Sequence, residues 1–331
     1  VEVPCASGLS DVHLLQHCLA GICRNEVDLT CLLPGLPALA HPIIINAITG
    51  GADAVAKINE SLAIVARETG SAMAVGSQFG TVRTGLHRDS YTIVRKCNPK
   101  GLIFANLSAF ASVEQAKAAI DMISADALQI HLNPAQELAM EEGDRDFSNC
   151  LSHIEAMVQG VGVPVIVKET GCGMAKKEAQ DLLDVGVTLL DIGGAGGTNF
   201  PAIEHQRYPE GNEELSEWGI PTVLSLLSVV QTVGWGNGVI ASGGIRSALD
   251  VVKAQVLGAS AVAMAGNLLQ KIQQEGTEET IHFLQRLLNK VLDFYTLLGC
   301  RTFRDLHEAR YYLTGETAQA VSWLRKYDQN D

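Results

Sequence analysis

Eight times along this chain an apolar run that reads as a strand stops on a polar or glycine cluster. The clusters are Thr49-Gly50-Gly51, Ser77-Gln78, Asn106, His131-Leu132-Asn133, Lys168-Glu169, Gly193-Gly194, Ser242-Gly243-Gly244 and Ala265-Gly266-Asn267. Eight strands that each end on chemistry-bearing residues predict an α/β fold of the (β/α)8 TIM-barrel type, with its active face at the strand C-termini. An open, doubly wound sheet is the rival, but eight consecutive strand–helix units favour closure. A barrel needs about 250 residues, and this chain has 331. One domain is therefore expected, with an N-terminal extension over 1–41, the barrel over 42–298 and a C-terminal extension over 299–331.

Residues 41–47 form a continuous apolar run of the kind a parallel sheet buries on both faces. Further strands are predicted at 72–75, 102–105, 127–131, 164–168, 188–192, 238–242 and 261–265. Helices are predicted at 53–69, 91–96, 175–185, 220–233, 247–257 and 277–298, and one opens on the capping box Ser112-Val113-Glu114-Gln115. Residues 1–41, with Pro34 and Pro37, read as irregular cover for one end of the barrel. Two connections, 132–148 and 193–219, are long, and long ordered loops in barrels usually carry function.

Hydrophobic content of 47% supplies a large core, and with aromatics at 5% that core should be built of Val, Ile, Leu and Ala. A net charge of −13 argues against nucleic acid and anionic membranes as partners, though not against a small anionic ligand. The eight cysteines contain no C-x-x-C pair, which fits a reducing compartment. No apolar run approaches the roughly 18 residues of a membrane span, and no signal peptide is visible.

The glycines that close strands seven and eight, in Ser242-Gly243-Gly244-Ile245-Arg246 and Ala265-Gly266-Asn267, lie where barrels often bind a phosphate. Tight turns are the simpler reading. Lys168 closes a buried strand and needs a partner: an ion pair with Glu169 or Asp191, or an electron-rich ring or phosphate. The loop Gly193-Gly194-Ala195-Gly196-Gly197-Thr198-Asn199 suits anion contact or simple mobility. Gln129, His131 and Asn133 share one strand face, and Pro134 then turns the chain so that Gln136 and Glu137 follow closely. Glu137 is a fair Mg²⁺ ligand, because Mg²⁺ commonly takes one carboxylate plus phosphate oxygens; Asp144 and Asp146 compete for that role. Asn106, Ser77 and Gln78 add neutral hydrogen-bonding groups, as ligand contacts or as strand-end caps. Cys172 has no histidine close in sequence and reads as an inert loop thiol.

Together these motifs resemble the type 2, FMN-dependent isopentenyl-diphosphate delta-isomerases. The matching segments are Ile-Asn-Ala-Ile-Thr-Gly-Gly (45–51), Ala-Val-Gly-Ser-Gln (74–78), Phe-Ala-Asn-Leu (104–107), Gln-Ile-His-Leu-Asn-Pro-Ala-Gln-Glu (129–137), Glu-Gly-Asp-Arg-Asp-Phe (142–147), Val-Lys-Glu (167–169), Asp-Ile-Gly-Gly-Ala-Gly-Gly-Thr-Asn-Phe (191–200), Ala-Ser-Gly-Gly-Ile (241–245) and Met-Ala-Gly (264–266). They stand in family order, and the 129–137 and 191–200 segments are the most specific. The resemblance implies FMN at the barrel mouth, NADPH as its reductant, Mg²⁺ with a small-molecule diphosphate substrate, and a cytoplasmic homo-oligomer, tetramer or octamer. It implies FMN contacts from Ala47, Ile48, Thr49, Gly50, Ser77, Asn106, Lys168, Thr198, Gly243, Gly244, Ala265 and Gly266. Substrate contacts are implied for Ser77, Gln78, Phe79, His131, Asn133 and Gln136, with Gln136 catalytic and Glu137 on Mg²⁺. One departure stands out. The family's N-terminal Arg-Lys and His box, which clamps the diphosphate, does not precede Gly8-Leu9-Ser10-Asp11. The rival functions are another FMN barrel oxidoreductase, such as a hydroxy-acid oxidase or nucleotide dehydrogenase, and a non-catalytic flavin-binding barrel without the clamp.

Overall fold

The computed structural model describes residues 7–327. The apolar runs become β1 (Ile43–Ile45), β2 (Ala72–Ala74), β3 (Ile103–Ser108), β4 (Ala127–Leu132), β5 (Val165–Glu169), β6 (Leu189–Asp191), β7 (Val239–Ser242) and β8 (Ala261–Met264). They pair in parallel in chain order, and β8 returns to β1 through Ile43↔Val262 to Ile45↔Met264, so the barrel is closed. Strand parity divides the core in two. Ile44, Ala74, Phe104, Ile166, Leu189 and Ile240 face inward and fill the lumen, while their neighbours Ile43, Ile45, Ala105, Val165, Val167 and Val239 pack against the helices.

Leu33, Leu39 and Cys31 complete the lumen core from one end. Pro34 lies against Gly238 and Gly35 against Pro164, the residues that lead into β7 and β5. The N-terminal extension therefore plugs the end of the barrel opposite the strand C-termini. Val12–Leu14 pairs antiparallel with Tyr311–Leu313, joining the two extensions in a ribbon. The buried Lys253 ammonium donates to the Leu9 carbonyl at 2.7 Å, tying this ribbon to the helix Ala248–Val256. Residues 1–6 and 328–331 of the two expected extensions lie outside the described residues.

Several connections carry more helix than the sequence pattern suggests, beginning with Phe79–Thr84 between β2 and β3. The 132–148 connection contains Pro134–Ala139, and the 193–219 connection contains Phe200–Arg207 and a 3-10 turn at Glu213–Glu217. The last barrel helix begins at Gly266 rather than 277; Gly276, with φ of 82°, breaks the span Gly266–Leu298 into two. The predicted capping box is present: Ser112 Oγ accepts from the Gln115 N–H at 3.3 Å, and Gln115 Oε1 from the Ser112 N–H at 2.8 Å. Among the described residues no helix is long and apolar enough to cross a membrane.

Candidate active site

Two residues beyond the apolar lumen, the same inward parity brings up Asn46, Asn106, Gln129, Lys168, Asp191 and Ser242. Polar side chains thus floor a cleft of about 830 Å³ at the strand C-termini. Of the residues singled out in the sequence, Ala47, Ile48, Ser77, Asn106, His131, Gln136, Lys168, Thr198, Gly243, Gly244, Ala265 and Gly266 line this cleft. Thr49, Gly50, Gln78, Phe79, Asn133 and Glu137 do not. Thr49 Oγ1 is committed to Asn59 at 2.7 Å, and Gly50 lies against the Tyr91 ring, where a Cβ would overlap it. Gln78 is fully buried: its amide donates to the Ala119 carbonyl at 3.0 Å and accepts from the Asn106 N–H at 3.1 Å. It braces the helix Val113–Ile123 against β3. Phe79 packs on the main core and under the Arg83 guanidinium, 5.4 Å away.

One wall of the cleft is built for an anion. The helix that starts at Gly266 has no side-chain cap, and Gly266 and Asn267 line the cleft, so its first N–H groups stand uncapped at the cleft edge. A Cβ at Gly266 would meet Thr198 Oγ1 tightly, at 3.3 Å, and no other heavy atom within 4 Å, so little but glycine and one hydroxyl stands at this helix start. Gly243 and Gly244 serve a different purpose. Their φ values of +103° and +73° belong to glycine, and side chains there would run into the Gly194 and Gly196 carbonyls. Thr222 Oγ1 stitches these loops together through the Gly243 carbonyl at 2.7 Å and the Ala195 carbonyl at 3.1 Å. The wall so formed fits a phosphate-bearing cofactor such as FMN.

Lys168 supplies the positive charge of the floor. It is buried, donates to the Glu169 carbonyl at 2.9 Å and makes no ion pair with Asp191 or Glu169. Glu169 instead gathers the N–H groups of Gly171, Cys172 and Gly173 and so shapes the loop after β5. Burial pushes its carboxyl up to about 7, against the pull of those N–H groups and of Lys168. His131 is driven the other way, down to about 3, by burial first and by the Lys168 charge second, so its imidazole is neutral. Its Nδ1 lies 2.9 Å from Asn106 Oδ1.

Gln136 extends from the start of Pro134–Ala139 into the cleft. Its Nε2 donates to Glu204 Oε1 at 3.0 Å, and the other Glu204 oxygen holds Arg207 at 2.6 Å. Glu204 was not legible as a site residue, because its burial and its contact with Gln136 appear only in the fold. Asn133 Nδ2 donates to Glu137 Oε1 at 2.8 Å, and the Asp144 N–H donates to Glu137 Oε2 at 2.9 Å. The Glu137 carboxylate is therefore oriented by the 142–147 segment. Asp146 is turned into a local cap on Ser148, at 2.6 Å, and not toward Glu137. Among the described residues no group of three or more His, Cys, Asp or Glu could hold a metal. Glu137 thus offers one oriented carboxylate, outside the lining of the cleft, and a single carboxylate is compatible with Mg²⁺, which keeps waters and phosphate oxygens as its other ligands.

Comparison with known proteins bears on this arrangement. The FMN-dependent dehydrogenase family profile matches residues 92–313, well over half of the chain. The chain is 45% identical over 313 residues to the isopentenyl-diphosphate delta-isomerase of Geobacillus sp. (strain WCH70), covering 94% of this chain and 89% of that one. It is 44% identical over 321 residues to that of Symbiobacterium thermophilum, covering 96% and 87%. Among solved structures, a mandelate oxidase with a monooxide FMN adduct superimposes with a TM-score of 0.67 at 18% identity, over 93% of this chain and 90% of that one. A lactate oxidase of Pediococcus acidilactici gives a TM-score of 0.71 at 15% identity, over 93% and 84%. At those identities the two structures speak for the fold alone.

Proposed function

The chain belongs to the isopentenyl-diphosphate delta-isomerases, within the FMN-dependent barrel family, and we infer that its cleft performs their allylic isomerisation with the residues just described. The observation that carries this reading is the convergence, in one cleft, of an anion-accepting wall, a buried ammonium at Lys168 and a held amide at Gln136. The reaction moves a double bond: one proton is added at the terminal methylene carbon and another leaves the carbon two positions away. When bound in its reduced form, FMN supplies acid–base chemistry at its N5 edge.

The chain's own groups do the rest. The glycine wall and the open N–H groups before Gly266 hold the cofactor phosphate. Lys168 favours the anionic form of an electron-rich ring over the neutral one. Gln136, clamped from one side by Glu204 and from the other by Asn133 at 3.4 Å, positions a proton at the reacting carbons. Its amide can donate only what Glu204 leaves free, so the clamp aims the group. Glu137 would hold Mg²⁺, which would supply positive charge against a diphosphate, and His131 and Ser77 would meet the same substrate. NADPH as reductant, a cytoplasmic location and a homo-oligomeric state, tetramer or octamer, complete the reading by family resemblance.

The test is turnover by the purified full chain with FMN, Mg²⁺ and isopentenyl diphosphate. Dimethylallyl diphosphate is expected with dithionite-reduced FMN and not with oxidised FMN. No product in either state would favour a non-catalytic flavin-binding barrel. Flavin reduction by a 2-hydroxy acid would instead favour an oxidase.

A further inference from the structure

The polar floor of the cleft is a single file of side chains that crosses the barrel. Asp191 on β6 is fully buried; one of its oxygens accepts from Ser242 Oγ at 2.5 Å and the other from Asn46 Nδ2 at 2.8 Å. Asn46 Oδ1 accepts from the Ala47 N–H at 2.9 Å and from Gln129 Nε2 at 3.1 Å. Gln129 Oε1 accepts from Asn106 Nδ2 at 3.0 Å, and Asn106 Oδ1 lies 2.9 Å from His131 Nδ1. Asn46, Asn106 and Gln129 are all buried, so each holds its partners largely out of water.

An amide can be turned end for end, so a chain of amides has no direction of its own. Here both neighbours of Asn46 act one way. The Asp191 carboxylate only accepts, and the Ala47 N–H only donates. Asn46 must therefore turn its NH2 to Asp191 and its oxygen to Ala47. Gln129 must then donate to Asn46 and present its oxygen to Asn106. Asn106 must donate to Gln129 and present its oxygen to His131. We propose that this one-way relay, anchored at Asn46 between Asp191 and Ala47, fixes His131 as the Nδ1–H tautomer, with Nε2 bare and turned to the cleft.

The functional meaning rests on the substrate role proposed above for His131. In this tautomer the neutral ring accepts at Nε2 and cannot donate there. A bare phosphate oxygen fits against it only after the ring takes a proton on Nε2, and that can occur without losing the Nδ1–H bond to Asn106. Asn46, Gln129 and Asn106 are then positioning residues for a ring that two of them never touch.

Nitrogen-15 NMR of histidine-labelled holoenzyme reads the tautomer directly, because protonated and bare ring nitrogens resonate far apart. The His131 signals, among nine histidines, are those lost in His131→Gln. The wild-type ring should show a protonated Nδ1 and a bare Nε2; the opposite pattern overturns the proposal with no variant needed. Gln129→Met cuts the relay and leaves Asp191 in place, so it should give a mixture of tautomers. Gln129→Glu cannot donate to Asn46 but still offers Asn106 only an acceptor oxygen, so the Asn106 orientation and the wild-type tautomer should be kept. An unchanged tautomer in Gln129→Met would mean that the relay does not set it, and the proposal fails. The substrate reading is tested separately: if His131→Gln leaves KM for isopentenyl diphosphate unchanged, that reading falls while the relay stands.

Discussion

Lys168 and the Gln136–Glu137 pair put the chemistry at the scale of single residues. Lys168→Met removes a buried cation from the cleft floor. Because a nearby cation favours the extra negative charge of a reduced ring, the midpoint potential of bound FMN should fall in spectroelectrochemical titration; an unchanged potential would remove Lys168 from flavin tuning. Gln136 and Glu137 are adjacent but differently held, one to Glu204 and the other to Asn133 and Asp144. Gln136→Leu should cut turnover by about 10²–10⁴, as loss of a proton-positioning group does, with FMN and Mg²⁺ affinity kept. Glu137→Gln should raise the Mg²⁺ needed for half-maximal rate, and excess Mg²⁺ should restore part of it. A Mg²⁺ titration of both variants at saturating reduced flavin decides, and rescue of the Gln136 variant alone would reverse the two roles. Inward-facing strand-end residues such as Asn106, His131 and Lys168 were legible because period two projects them from an apolar run. Gln78, read as a ligand contact or a strand-end cap, stands beyond β2 just before the helix Phe79–Thr84 and makes the capping kind of contact, to the Asn106 N–H of β3. The roles of Asn46 and Asp191 were hidden because their partners are distant in sequence and meet only when the barrel closes.

Among elements, the glycine loops after β6, β7 and β8 look alike in sequence but carry unlike duties. Gly266 has only the Thr198 hydroxyl close by, which can rotate away, whereas Gly243 interlocks with the Gly194 carbonyl of the backbone. Gly266→Leu should therefore fold and melt near wild type yet fail to retain FMN on gel filtration. Gly243→Ala should lower stability by roughly 1–3 kcal/mol, the scale of a strained left-handed residue, and this should show in denaturant unfolding of the apoprotein. If Gly266→Leu still carries stoichiometric flavin, the phosphate does not sit at that helix start. The short helices Pro134–Ala139 and Phe200–Arg207 escaped the pattern because six and eight residues are too few to show a helical period. Their start signals were nonetheless present. Each follows an asparagine and carries proline in its first turn, at Asn133-Pro134 and Asn199-Phe200-Pro201. Those two helices bring Gln136 and Glu204 together, so the least legible elements complete the most chemical part of the site.

At the scale of the whole molecule, the barrel separates stability from chemistry along its axis. The polar floor and cleft occupy the strand C-termini, and the opposite end is closed by the plug of Cys31, Leu33 and Leu39. Leu33 is 2% exposed and packs among the inward-facing lumen residues. Leu33→Ala removes three carbons from a close-packed site whose backbone belongs to an irregular loop. The cost of such a truncation is about 2–5 kcal/mol, lower where the surroundings can collapse into the space. The plug is a loop and not a strand, so partial collapse is available, and the lower half of that range is expected. The apolar lumen layer, with Phe104 and Ile166 in it, stands between the plug and the polar floor. The Asp191–Asn46–Gln129–Asn106 file is held by hydrogen bonds that do not involve the plug. Leu33→Ala should therefore lower the denaturant midpoint and Tm while kcat and KM, measured well below the new transition, stay within about twofold of wild type, since distant sites without shared partners act independently. A tenfold fall in kcat at full folding would show that the lumen transmits packing changes to the floor, and the division of labour along the barrel axis would be wrong.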